Sequence, residues 1–141
     1  MEVVYYYDEM LKISPVKKYF EKYLIYLNDS DFEIRKKQRV LSDIDAKINY
    51  IKNQNGLPIP PIAKPLHGYN FFEILSTKDS KILIRILYFR YNDKMVLLHC
   101  FEKPFYYKSK KEKNNVKKQN DIAQINLNIF KLKPYNYEKY E

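Results

Sequence analysis

Hydrophobic and polar positions along the chain switch between a two-residue and a three-to-four-residue period, and each stretch reads as one element. Residues 2–7 are β-branched and aromatic, the make-up of a short strand. Ser14 before Pro15 has the form of a helix N-cap with proline at the first helical position. Phe20, Tyr23, Leu24 and Leu27 follow at helical spacing, which predicts an amphipathic helix over residues 15–27, broken by Asn28-Asp29-Ser30. A second helix is predicted from Asp31 to about Gln54. Ile34, Leu41, Ile44, Ile48 and Ile51 are its apolar stripe, and Gly56 is its stop. The two helices predict an antiparallel hairpin whose apolar faces need a sheet to cover.

Residues 57–66 hold four prolines (Pro58, Pro60, Pro61, Pro65), which predicts irregular structure that delivers Lys64 and His67 to the sheet edge. Strands are predicted at 69–76, 81–91 and 94–103, with Asn92-Asp93 as a tight hairpin turn. The middle strand, ILIRILYF, is apolar on both faces except at Arg85, as a central strand should be. Ile122, Ile125, Ile129 and Leu132 keep helical spacing and predict a C-terminal helix near residues 115–132. The expected fold is α+β: a helical hairpin on a small, mostly antiparallel twisted sheet, plus a C-terminal helix. At 141 residues it reads as a single domain, 1–141, with a basic C-terminal segment 104–141.

Charge adds the next constraint. Lys and Arg total 26 against 17 Asp and Glu, a formal net charge of +9, which favours anionic partners. Ten lysines stand between Lys103 and Lys139 against Glu112, Asp121 and Glu138, so most of the surplus lies in the last quarter. The Lys108–Lys118 run is either the solvated start of the last helix or a basic arm for an RNA backbone. The 15 tyrosines and 8 phenylalanines suit base stacking as well as a core. Cys100 is the only cysteine, so there is no internal disulfide and no cluster with metal-ligand spacing. The opening MEVVYYYDEM has no basic-then-apolar leader pattern, and no apolar run approaches the roughly 18 residues of a membrane span. The expectation is a cytoplasmic protein with no cofactor, no metal and no membrane partner.

Candidate chemistry gathers on the last strand. By the two-residue period Met95, Leu97, His99, Phe101 and Lys103 share one face, so His99 and Lys103 point the same way. A histidine can move protons near neutral pH and a lysine can meet a phosphate; a satisfied core histidine is the competing reading of His99. Tyr106, Tyr107 and Lys108 follow at once as a lip of rings and charge. A two-residue Asn92-Asp93 turn pairs Arg85 with Cys100 and turns it away from His99, whereas a bulge would bring the two together. With Lys78-Asp79-Ser80 as a three-residue turn, Glu73 falls opposite Arg85. A cross-strand Glu73–Arg85 ion pair then explains both residues structurally.

YYYDEMLKISPVKKYFEKYL, GLPIPPIAKPL, FFEIL, ILIRILYF and KMVLLHCFEK, in this order, resemble segments of the RelE/ParE toxin superfamily, in its phage-derived, HigB-like branch. YYYDEMLKISPVKKYFEKYL is similar to that family's opening strand and "SPV…F" helix start. GLPIPPIAKPL resembles "G…P…KPL", FFEIL resembles "LYELR", ILIRILYF resembles "YRVFYF", and KMVLLHCFEK resembles "IVLLHGFVKK". The likeness departs from the pattern where the family's Arg after "EL" is Leu75, where paired lysines become Lys103-Pro104, and where Thr-Gln-Lys-Thr-Pro becomes Phe105-Tyr106-Tyr107-Lys108-Ser109.

The resemblance implies a toxin of a type II toxin–antitoxin pair. Such a toxin is a ribosome-dependent, metal-independent mRNA endoribonuclease (an mRNA interferase) that inhibits translation. The implied partners are mRNA, the ribosome and a cognate antitoxin, often of helix-turn-helix type, in a hetero-oligomer. His99, Lys103, Lys64 and Tyr106 are then the catalytic candidates, and Lys108, Lys110, Lys111, Tyr107 and Lys78 the RNA-binding ones. Two other readings stay open. One is a catalytically impaired protein of the same fold that binds RNA, the ribosome or a protein partner through the C-terminal lysines. The other is a gyrase-directed toxin as in the ParE branch.

Overall fold

A computed structural model describes residues 1–140 as three helices and one open six-stranded sheet, an α+β architecture. In chain order the elements are β1 (Glu2–Tyr6), α1 (Pro15–Glu21), α2 (Asp31–Asn53), β2 (Ala63–Pro65), β3 (Phe72–Thr77), β4 (Ile82–Tyr91), β5 (Lys94–Pro104), α3 (Lys110–Leu132) and β6 (Tyr137–Lys139). The strand order is β2-β3-β4-β5-β1-β6; β1 runs parallel to β5 and every other neighbour is antiparallel. No helix among the described residues is long and apolar enough to cross a membrane.

Helices lie on both sides of this sheet. On one face α1 and α2 cover Ile74, Ile84, Ile86, Tyr88, Met95 and Leu97 with Val16, Phe20, Val40, Ile44, Ile48 and Ile51. On the other, α3 covers Val4, Leu87, Phe89, Val96, Leu98 and Phe101 with Val116, Ala123, Leu127 and Phe130. The central strand β4 is therefore apolar on both faces, as its sequence demands. A capping box starts α2: Ser30 Oγ accepts from the Glu33 N–H while the Glu33 carboxylate accepts from the Ser30 N–H. At its end Gly56 has φ +75°, and a Cβ there would meet Met1 Sδ at 2.8 Å.

Three expectations are corrected and one unpredicted strand appears. The α1 helix ends at Glu21 and continues as a single 3-10 turn through Leu24; Leu24 and Leu27 stay exposed instead of completing a stripe. The proline-rich stretch contains β2, whose Pro65 is tolerated because this is an edge strand and needs no donor there. The three-residue β6, too short to leave a periodic signal, closes the opposite edge. The α3 helix starts at Lys110, since Ser109 Oγ accepts from the Glu112 N–H and the lysine run becomes helical.

The face of α3 is also not the predicted one. Ile125, Ile129 and Leu132 are exposed, and Val116, Asn120, Ala123, Leu127 and Phe130 are buried. The inward set is smaller and partly polar, so the isoleucine spacing outweighs it in the sequence. Phe130→Ala should therefore cost about 3–5 kcal/mol of stability, while Ile129→Ala stays within about 0.5 kcal/mol. Urea denaturation of the two variants separates the assignments, and the reverse order would show that α3 is turned the other way.

Candidate functional site

The site is organised by one irregularity in β5. The Asn92-Asp93 turn is tight as expected, with Asn92 at φ +55°, and pairs Tyr91 with Lys94 up to Tyr88 with Leu97. The register then shifts: Leu87 pairs with His99, so Leu98 is the extra residue of a β-bulge. Beyond it Arg85 stands opposite Phe101 rather than Cys100. Met95 and Leu97 accordingly face α2, while His99, Phe101 and Lys103 face α3, which corrects the single-face reading of β5.

The β3–β4 turn moves by two residues rather than one. Asp79 Oδ1 accepts from the N–H groups of Lys81 and Ile82, and the Lys78 N–H bonds the Ile82 carbonyl. Leu75 thus lies opposite Arg85, and Glu73 opposite Leu87. An even slip keeps the face, so Glu73 still reaches Arg85 diagonally. Its Oε2 lies 2.7 Å from Arg85 Nε, although the N–H is not aligned for a hydrogen bond, so the contact is Coulombic. Glu73 is 2 % exposed and Arg85 8 %. The predicted ion pair is present in a different register.

Around this pair three cations converge on the α3 face. Lys64, opposite Glu73 on β2, lies 3.4 Å from Glu73 Oε1 and is largely exposed. Arg85 donates to Asn120 Oδ1 of α3 at 3.3 Å, and its guanidinium sits 5.9 Å from the centre of the Phe101 ring. Lys103 is mostly buried, donates to the Pro104 carbonyl at 3.4 Å and lies 5.3 Å from the Tyr107 ring centre. Burial, then the Arg85 charge, pulls the Lys103 pKa down; Glu73 works against this and Lys64 with it. Three positive groups against a single carboxylate leave this patch with a net positive charge.

His99 occupies the same face but looks inward. Its Nε2 is 2.7 Å from Gln119 Oε1 and its ring stacks on Phe101 at 5.6 Å. With that oxygen as acceptor Nε2 carries the proton, leaving Nδ1 buried without a hydrogen-bond partner. Burial lowers its pKa and the Gln119 bond only partly offsets this, so the ring is neutral at neutral pH.

Not every candidate belongs to the cluster. Tyr106 is 85 % exposed, and Tyr107 rather than Tyr106 is the ring beside Lys103. Lys78 lies on the opposite side of the sheet, 2.9 Å from Glu102, in a cleft of about 380 Å³ shared with Lys22, Tyr23 and Lys36. It is removed from the site because it pairs with Glu102, which also accepts from Tyr19 Oη on the α1 side of the sheet. Lys108 precedes α3, where its N–H bonds Glu112 Oε1, while Lys110 and Lys111 form the helix's exposed first turn. Gln119 and Asn120 escaped notice because the Ile122, Ile125, Ile129 and Leu132 spacing pointed to a different inward face of α3. Tyr69 joins from the β2–β3 loop, donating to Asp121 Oδ1 at 2.7 Å, a bond that with burial pushes its pKa up to about 12.

No protein-family model matches the chain, and no curated protein or solved structure matches it significantly.

Two measurements check this geometry. Glu73→Gln leaves a buried guanidinium unpaired and should cost about 3–5 kcal/mol in urea denaturation, with Glu73→Leu/Arg85→Met recovering most of it. For His99 the folded pKa lies below the ordinary 6.5. As pH falls from 6.5 toward that lower value, the unfolded chain takes up a proton that the folded chain refuses, and stability declines. His99→Gln should flatten that part of the stability–pH curve; an unchanged slope would show that His99 is not the group responsible.

Proposed function

We propose that the chain is a toxin of the RelE/HigB-like kind that grips mRNA on the ribosome and cleaves it without a metal. The observation that carries this reading is the convergence of Lys64, Arg85 and Lys103 on the sheet face that also carries His99, with Lys103 and His99 turned onto that face by the bulge at Leu98. A phosphodiester seated between Lys64 and Lys103 meets two primary ammonium groups, with Arg85 behind them adding positive potential. Tyr107 is the ring on which an adjacent base stacks.

In the cleavage the ribose 2′ oxygen forms a bond to phosphorus as the bond from phosphorus to the 5′ oxygen breaks. The 2′ proton goes to a base and the 5′ oxygen takes one up, giving a 2′,3′-cyclic phosphate and a 5′-hydroxyl. For neutral His99 to accept at Nε2, Gln119 must release the ring and the proton must pass from Nε2 to Nδ1, while Lys64 and Lys103 stabilise the phosphorane charge. Glu73, almost wholly buried, positions Arg85 and Lys64 rather than touching RNA. The proposed protein partner is an antitoxin, and a short helix-turn-helix reading frame adjoining this one is the natural candidate.

A second reading, RNA binding without turnover, draws on two observations. Leu75 stands opposite Arg85 where the resemblance calls for an arginine, and His99 is held by Gln119. Induction in a bacterial host distinguishes the readings. Cleavage predicts growth arrest with cut mRNA mapped by primer extension, and Lys64→Ala or Lys103→Ala should slow cutting roughly 10²–10³-fold. Intact mRNA together with steeply salt-dependent RNA binding would establish the second reading. Arrest unchanged in both variants would remove this face from the chemistry.

A further inference from the structure

The α3 helix carries two apolar faces, and only one of them is used. Val116, Ala123, Leu127 and Phe130 are buried against the sheet. Ile125, Ile129 and Leu132, at i, i+4 and i+7, stand outward with 56 %, 42 % and 81 % of their surface exposed. They form a continuous stripe about 10 Å long. Scattered exposed apolar side chains are ordinary, but a stripe at helical period is the form of a helix-pairing seam.

The charges around the stripe say what covers it. Lys118 and Lys111 continue the same line toward the N-terminus at seven-residue steps, and Lys131 flanks the other end; all three are exposed with no acidic partner among the described residues. Asp121, the nearest acid on α3, is engaged by Tyr69 and Lys117. A second copy of the chain fits badly. Antiparallel pairing about the stripe would carry Lys111 and Lys118 past the end of the other copy's α3, opposite no acid of that helix, and parallel pairing would set each lysine against its own copy. We propose that the outward face of α3 docks an amphipathic helix of a partner protein, with Leu or Ile along its seam and Asp or Glu at its flanks. The occupant would lie on the far side of α3 from Lys64, Arg85 and Lys103, so this surface stands or falls independently of the RNA reading.

The test uses the full chain and a labelled synthetic helical peptide with leucine seam positions and glutamate flanks, against the same peptide with lysine flanks. Fluorescence anisotropy should show the acidic peptide binding roughly tenfold or more tighter, with the difference shrinking as salt rises. Ile125→Glu/Ile129→Glu should weaken binding roughly tenfold or more, and Lys118→Glu should reduce the salt dependence. Lys64→Ala and Lys103→Ala should leave it unchanged. If the double variant fails to give a native circular dichroism spectrum, Ile125→Ala/Leu132→Ala serves in its place. Equal binding of both peptides, no binding of the acidic one, or indifference to the stripe variants would overturn the proposal. So would a dimer abolished by Ile125→Glu in sedimentation, or displacement of the peptide by single-stranded RNA.

Discussion

The extra residue at Leu98 is the constraint on which the site depends. In a strand each one-residue step reverses the side chain's face, so one inserted residue exchanges everything downstream of it. Here the exchange turns His99, Phe101 and Lys103 onto the face that carries Arg85 and Glu73, and leaves Met95 and Leu97 in the core beneath α2. An unbulged β5 would send His99 and Lys103 toward the helical pair and give α3 a different surface to cover.

Burying Glu73 and Arg85 is costly, and their mutual attraction is the reason both charges can remain under α3. The pair works as a frame: Glu73 also holds Lys64, and Asn120 and the Phe101 ring complete the surroundings of Arg85. One carboxylate against three cations leaves a surplus of positive charge, of which Lys64 is exposed and Lys103 mostly buried.

The α3 helix links the two surfaces described above. Its inner side supplies Gln119 to His99 and Asn120 to Arg85, so it completes the site as well as the core. Its outer side presents isoleucine and leucine to solvent between lysines. The helix is thus apolar on both sides, with Val116, Ala123, Leu127 and Phe130 buried and Ile125, Ile129 and Leu132 exposed.

Much was legible in the sequence because it rests on local physics. The α2 stripe of Ile44, Ile48 and Ile51, the doubly apolar β4 and the tight Asn92 turn follow from period and turn chemistry, and they define the α+β class. The Glu73–Arg85 pair was also readable, since an even error in register preserves a face. The bulge was not: an added residue in β5 repeats no local signal, and it is selected by how Leu97 and Leu98 pack against opposite layers. Nor was the inward face of α3, where Asn120 is buried because a partner for Arg85 was needed there. Periodicity determines that an element exists and what it is; which of two apolar sides turns inward is decided only when the layers meet.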